Sequence, residues 1–202
     1  MKAESIVFAV AGMCFGIILG WVIGAQQAAR SVAPAAAAAA PAAQGAARQA
    51  PPPLDEAKVQ ALMTVIKNDP KNAGAALQLG NTYFDAERYT DAITWYEESV
   101  RLDPKNPDAS TDLGISYYYT GQTDRALQQF EQSLKIDSRH TKTMLNKGVV
   151  LAFGKQDLAG AEAVWKQVVA LSPDSPEGQA ARRALDGIAA AGHQRTGTTP
   201  GS

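Results

Sequence analysis

The sequence predicts an all-α fold, a solenoid of helical hairpins behind one apolar amino-terminal helix. Two observations predict the solenoid. Asp69-Pro70-Lys71-Asn72 returns unchanged as Asp103-Pro104-Lys105-Asn106, 34 residues later. At the same spacing Leu79-Gly80 returns as Leu113-Gly114, Tyr83 as Tyr117, Ala92 as Ala126, Tyr96 as Phe130 and Ser99 as Ser133. A fixed period of this size means stacked copies of one supersecondary unit. The third observation predicts the apolar helix: residues 6–24 carry no charge and as a helix are long enough to cross a hydrocarbon core of about 30 Å.

Taken in order, residues 1–24 form a single-pass anchor, with a cleaved signal peptide ending near Val22-Ile23-Gly24 as the alternative. Gly12, Gly16, Gly20 and Gly24 recur every fourth residue and share one helix face, on which a second membrane helix can approach closely. That face can pair with another copy of the chain or with another membrane protein. Lys2 and Arg30 flank the run, a charge balance that leans toward an internal amino terminus and a soluble part outside the cytoplasm. Residues 25–53, including Ala35 to Ala40 and Pro51-Pro52-Pro53, have the composition of a linker that buries no core, with a reach of roughly 30 Å as a coil.

Residues 54–68 follow as one amphipathic helix, with Val59, Leu62, Met63 and Ile66 on its apolar face. It occupies the place of a second helix whose first helix is missing, and so caps the stack. The units themselves are 73–106, 107–140 and 141–175. In the first, Ala76, Leu79 and Tyr83 mark one helix and Ala92, Ile93, Tyr96 and Val100 the next. The glycines Gly80 and Gly114 are expected to let the first helix approach Ala92 and Ala126 on the second. In the third unit Gly148 lies 34 after Gly114, but Ala161 and Trp165 lie 35 after Ala126 and Phe130. One residue is thus inserted, within Phe153 to Gly160. Leu151 stands where the other units have tyrosine. Residues 176–191 form a last cap with Ala180, Ala184, Leu185 and Ile188 on its apolar face, and 192–202 a disordered tail.

The residue pattern resembles the tetratricopeptide repeat family, whose unit is a helix-turn-helix marked by leucine-glycine, tyrosine, alanine, aromatic and proline. Ser138 departs from it where a proline is expected. The resemblance implies a peptide-binding groove lined by the second, fifth, sixth, ninth, twelfth and thirteenth positions of each unit's first helix. Carried onto this chain, those positions supply Leu77, Asn81 and Phe84, then Thr111, Asp112, Ile115, Tyr118 and Tyr119, then Lys142, Leu145, Asn146, Val149 and Phe153. Tyr118 and Phe84 are the expected anchors, unless the terminal helix covers Tyr118, Tyr119 and Phe153. Some members hold a free carboxyl terminus with lysines, asparagines and arginine. Asn81 and Lys142 match that clamp, but Leu77, Asp112 and Asn146 replace its other members, and Asp112 repels a carboxylate.

Composition narrows the function classes. The net charge is -1, which offers no basic stripe for nucleic acid. The single cysteine, Cys14, lies in the apolar run and can build neither an intrachain disulfide nor a cysteine metal site. His140 in a turn and His193 in the tail have no spacing that suggests a metal, and no nucleophile or phosphate-loop motif is present. The expectation is a protein without cofactor or enzymatic chemistry: a membrane-tethered adaptor for a peptide segment of a partner, or a self-associating envelope scaffold. The layout of anchor, tether and repeats resembles bacterial envelope assembly proteins, including repeat subunits of cytochrome c maturation. It implies a bacterial inner-membrane protein with a periplasmic repeat domain.

Overall fold

The computed structural model describes residues 50–196. Its helices are α1 (Glu56–Asn68), α2 (Ala73–Asp85), α3 (Tyr89–Leu102), α4 (Pro107–Tyr119) and α5 (Thr123–Ile136). They are followed by α6 (Thr141–Val149), a π-helical turn (Val150–Gly154), α7 (Leu158–Leu171) and α8 (Pro176–Thr196). Among the described residues there is no strand, and no helix is long and apolar enough to cross a membrane. The run 6–24 with its four glycines, on which the anchor expectation rests, lies outside the described residues, as do the linker through residue 49 and the tail from 197.

The Asp-Pro-Lys-Asn repeat encodes each connection between units. Asp69 and Asp103 fold back on their own backbone, accepting from the amides of Lys71 at 3.2 Å and Lys105 at 3.1 Å. Asn72 and Asn106 then cap the next helix, accepting from Ala75 N at 2.9 Å and Ala109 N at 3.1 Å. These bonds satisfy amides that have no partner inside the helix. At the third connection Asp137 still accepts from Arg139 N at 2.9 Å. The aspartate turn forms without the proline, so Ser138 is accommodated.

Inside each unit the chain reverses through one left-handed residue: Glu87 (φ 57°), Gly121 (φ 78°) and Gln156 (φ 58°). Gln156 lies 35 residues after Gly121, so the inserted residue has already been absorbed before this turn. It sits in the π-helical turn, where Lys155 N bonds Val150 O at 3.1 Å and Asp157 N bonds Leu151 O at 2.8 Å. A one-residue insertion widens a helix in this way. It thus belongs to the end of the first helix of unit three and leaves the connection unlengthened.

Packing between the two helices of a unit centres on a ring laid against a glycine. A side-chain carbon built on Gly80 would fall 2.5 Å from the Tyr96 ring, and one on Gly114 2.6 Å from the Phe130 ring. Trp165 meets Gly148 in the same way. The sequence expectation paired these glycines with Ala92 and Ala126. A carbon on Gly114 would also fall 3.3 Å from the Ala126 carbonyl, with the larger ring one turn further on lying closer still. Leu79, Ala92, Ala126, Phe130, Ala161 and Val168 are fully buried along this line. Each large side chain so buried contributes roughly 1.5 to 3 kcal/mol.

A single helix lies at each end of the described repeats. Val59 and Leu62 of α1 pack on Ala75 and Leu79 of α2. Helix α8 packs on α6 and α7 through buried Ala180, Ala181 and Ala184. It runs to Thr196, past the expected end at residue 191. Ala189, Ala190 and Ala191 favour helix, and a single Gly192 opposes it by only about 1 kcal/mol.

Candidate peptide groove

Helices α2, α4 and α6 present the groove positions, and their immediate neighbours decide which remain available. Thr111 and Leu145 do not line a surface: Thr111 is fully buried and Leu145 is 4% exposed. Thr111 Oγ1 donates to Pro107 O at 2.7 Å and meets Thr143 Oγ1 at 2.6 Å and Ser133 Oγ at 3.0 Å, inside the contact between units two and three. The carbonyl of Leu145 accepts from Trp165 Nε1 at 3.0 Å. Register places a residue toward the neighbouring helix but does not say whether a second helix covers it. Leu77 and Ile115 are half-buried, packed against the core formed by Ile93, Tyr96, Leu113 and Tyr117.

Phe84 and Tyr119 are tied into an aromatic cluster with Tyr89. Tyr119 stacks on Tyr89 with centroids 4.4 Å apart, while Phe84 meets Tyr89 at 5.1 Å and Tyr119 at 5.6 Å, both edge-on. These contacts come from α2 and α3, and the terminal helix lies elsewhere, on α6 and α7. Tyr118 is half-buried at the margin of this cluster, 6.1 Å from Tyr119. Its ring lies beside Gly154, where an added side-chain carbon would fall 3.1 Å from it. The π-helical turn therefore brings backbone against Tyr118 where a side chain would crowd it. Phe153, one residue before, is also half-buried. Tyr117, by contrast, is a packing residue, buried with its hydroxyl donating to Glu97 Oε1 at 2.6 Å.

Polar groups line the middle of the groove. Asn81 Oδ1 accepts from the Tyr96 hydroxyl at 2.7 Å, and Asn146 Nδ2 donates to Lys142 O at 2.8 Å. Val149 is half-buried beside them. Lys142 Nζ pairs with Asp112 Oδ1 at 2.8 Å and with Asp108 Oδ1 at 3.5 Å. Burial disfavours the Lys142 ammonium, but Asp112 and Asp108 outweigh it and hold the amine above its usual range. Burial also pushes the Asp112 carboxyl up, against the pull of Lys142.

Two acidic groove positions were not named from sequence, and His140, named there only as a turn residue, joins them. Asp108 and Asp85 fill the second position of unit two and the thirteenth of unit one, and the repeat register alone places them there. His140 precedes α6 with its side chain only 17% exposed, so it is no ordinary surface histidine. Its Nδ1 lies 2.6 Å from Thr143 Oγ1 and its Nε2 3.5 Å from Asp108 Oδ1. No group of three or more His, Cys, Asp or Glu suited to a metal occurs among the described residues.

Comparison with known proteins agrees with this geometry. Models of the family match as "TPR repeat" over residues 80–121 and as "Tetratricopeptide repeat" over 111–176. Together with the glycine-on-ring hairpins they make this chain a member of the tetratricopeptide repeat family. No curated protein sequence matches it. Among solved structures it is similar to the first such domain of Spaghetti (RPAP3) bound to an HSP90 peptide, SRMEEVD, at 26% identity and a TM-score of 0.54, over 61% of this chain and 94% of that one. It is similar to the first domain of human RPAP3 at 25% identity and 0.55, over 64% and 99%. The crystal structure of MamA matches at 17% identity and 0.53, over 68% and 88%, a likeness of fold alone.

Proposed function

We propose that this chain is a protein–protein interaction adaptor whose α2–α4–α6 groove takes an extended segment of a partner. The observation that carries the reading is Tyr118. Its neighbour Tyr117 meets the packing demand of the repeat, while Tyr118 stays half-buried on the groove side with apolar Val149 and Phe153 among the positions of the next unit. Rigid aromatic side chains beside adaptable amides are what binding hot spots are made of. Asn81 and Asn146 supply the amides, each with one polar atom already used inside the protein. The bound HSP90 peptide of the RPAP3 relative supports peptide recognition by this architecture. Its acidic sequence does not suit a groove in which Asp108 and Asp112 surround the single lysine.

In the full chain the adaptor hangs from a bacterial inner membrane through residues 6–24, on the periplasmic side, at the end of the Ala/Pro-rich tether. The uncharged length of that run supports the membrane span, and the flanking Lys2 and Arg30 give the lean in orientation. Retention in the membrane fraction after carbonate washing is the expected result, and an amino terminus found near Ala25 would replace the anchor with a cleaved signal. For the groove, the probe is a random decapeptide display library panned on the full chain in mild detergent. Tyr118→Ala should weaken the selected peptides by about 2 kcal/mol, roughly thirty-fold, with helical content unchanged. Unchanged affinity would move binding off this groove.

A further inference from the structure

We infer that the occupant of the groove is a segment carrying a lysine or arginine among apolar residues, a charge preference opposite to that of an acidic tail. The inference rests on the groove reading above and adds the partner's chemistry. Helices α2 and α4 contain no lysine, arginine or histidine at all, yet their groove positions hold Asp85, Asp108 and Asp112. At the far end Glu177 of α8 occupies the second position of its helix, while Arg182 and Arg183 fall outside the groove register. The groove lysine, Lys142, is already engaged by Asp112 at 2.8 Å and Asp108 at 3.5 Å, and His140 Nε2 lies 3.5 Å from the same Asp108 oxygen. One ammonium thus serves two carboxylates, while Asp85 is exposed at the end of α2, on a cavity that Asp55 and Lys58 of α1 also line.

A wall with this balance repels an incoming carboxylate and attracts a cation, because complementary potential selects partners more strongly than it binds them. Asp108 is 56% exposed and within reach of an incoming side chain, whereas Asp112 is 17% exposed and acts from behind it. Burial raises the Asp112 carboxyl even with Lys142 beside it, so a second cation would relieve a charge that the first does not fully offset. Tyr118 suits the rest of such a residue, since the stem of a lysine or the plane of an arginine packs on a tyrosine face. The molecule already makes this pairing twice, with Arg125 4.0 Å above the Tyr117 ring and Arg88 5.1 Å above that of Tyr83.

The test uses the full chain in mild detergent and the same decapeptide library. The strongest binder is then synthesised with its basic residue kept, changed to glutamine and changed to glutamate. Each version is titrated by fluorescence anisotropy against wild type, Asp108→Asn and Tyr118→Ala, at 50 and 300 mM salt. The expected result is selection of lysine- or arginine-bearing peptides, with about ten-fold loss for glutamine, a larger loss for glutamate, and a salt dependence reduced in Asp108→Asn. Because Asp108 is exposed, circular dichroism of that variant should match wild type. Selection of acidic or uncharged peptides that Tyr118→Ala still weakens would overturn the charge preference and leave the groove reading standing. Peptides indifferent to both substitutions would overturn the groove reading itself.

Discussion

At the seam between units one and two, Leu77, Ser99 and Ala109 occupy the places that Thr111, Ser133 and Thr143 take at the seam between units two and three, each 34 residues on. The serine does the same work in both, since Ser99 Oγ donates to Ala73 O at 3.0 Å and Ser133 Oγ to Pro107 O at 2.9 Å. Around it the first seam is closed by hydrocarbon and the second by hydroxyls, with Thr143 Oγ1 2.8 Å from Ser133, 2.6 Å from Thr111 and 2.6 Å from His140 Nδ1. Among the described residues no buried side-chain nitrogen or oxygen lacks a partner, so the polar seam is fully satisfied. One repeat geometry thus tolerates opposite chemistries, but they fail differently. A hydrocarbon seam loses stability in proportion to what is removed, whereas a closed hydroxyl network loses it whenever one member leaves the others unpaired.

The largest effect should come where unit three departs from the smaller rings of its neighbours. Trp165 is 1% exposed, fills the place of Tyr96 and Phe130, and donates to Leu145 O. Trp165→Ala should cost about 3 to 5 kcal/mol in chemical denaturation, from the cavity and the carbonyl left without its donor. A loss no greater than that of Ile93→Ala, at the margin of the first seam, would mean that the third unit is less tightly built than it looks.

The second effect separates the seams directly. Thr143→Val keeps the shape but removes the hydroxyl shared by Thr111, Ser133 and His140, and should cost about 1 to 3 kcal/mol. Importing the first seam's chemistry with Thr111→Leu and Thr143→Ala together should bring stability back to within about 1 kcal/mol of wild type, because Ser133 keeps its bond to Pro107 O and only the His140 ring, which reaches solvent at 17% exposed, loses a partner. Additive losses in the double variant would show that the seam is held by packing alone.

How far the sequence discloses this is uneven, for physical reasons. The hairpins, the three units and both caps follow from a 34-residue period because a repeated unit must bury the same face each time. The groove is less legible. Thr111 and Leu145 share the register of true groove residues, and only the neighbouring helices decide that they are covered. The contrast between Leu77 and Thr111 at equivalent places was the available signal that the second seam is polar. The extra residue in unit three shows in the spacing of Trp165, but spacing alone does not say whether a loop or a helix takes it up. The π-helical turn took it up because the left-handed turn at Gln156 reproduces those at Glu87 and Gly121 and leaves the connection no spare length.

The smallest effect concerns the far edge of the first seam, where Tyr117 of α4 bridges α3 and α5. Its hydroxyl donates to Glu97 and accepts from Arg125 Nη2 at 2.7 Å. The equivalent residue in unit three is Leu151, so the bridge has no counterpart at the second seam. Burial, helped by the bond to Glu97, pushes the Tyr117 phenol up to about 12. A group whose folded value lies above the unfolded value of about 10 holds its proton more tightly when folded. Its contribution is therefore complete below pH 10 and is lost as pH rises through about 12. Lys142 and the buried phenol of Tyr96 shift in the same direction, so the wild-type curve alone does not isolate this residue. The difference between wild type and Tyr117→Phe does. Denaturant midpoints measured from pH 8 to 11.5 should fall more steeply for wild type, the two curves converging toward the alkaline end. Parallel curves would mean that the phenol ionises at its ordinary value and that the bridge adds nothing to the first seam beyond the packing of its ring.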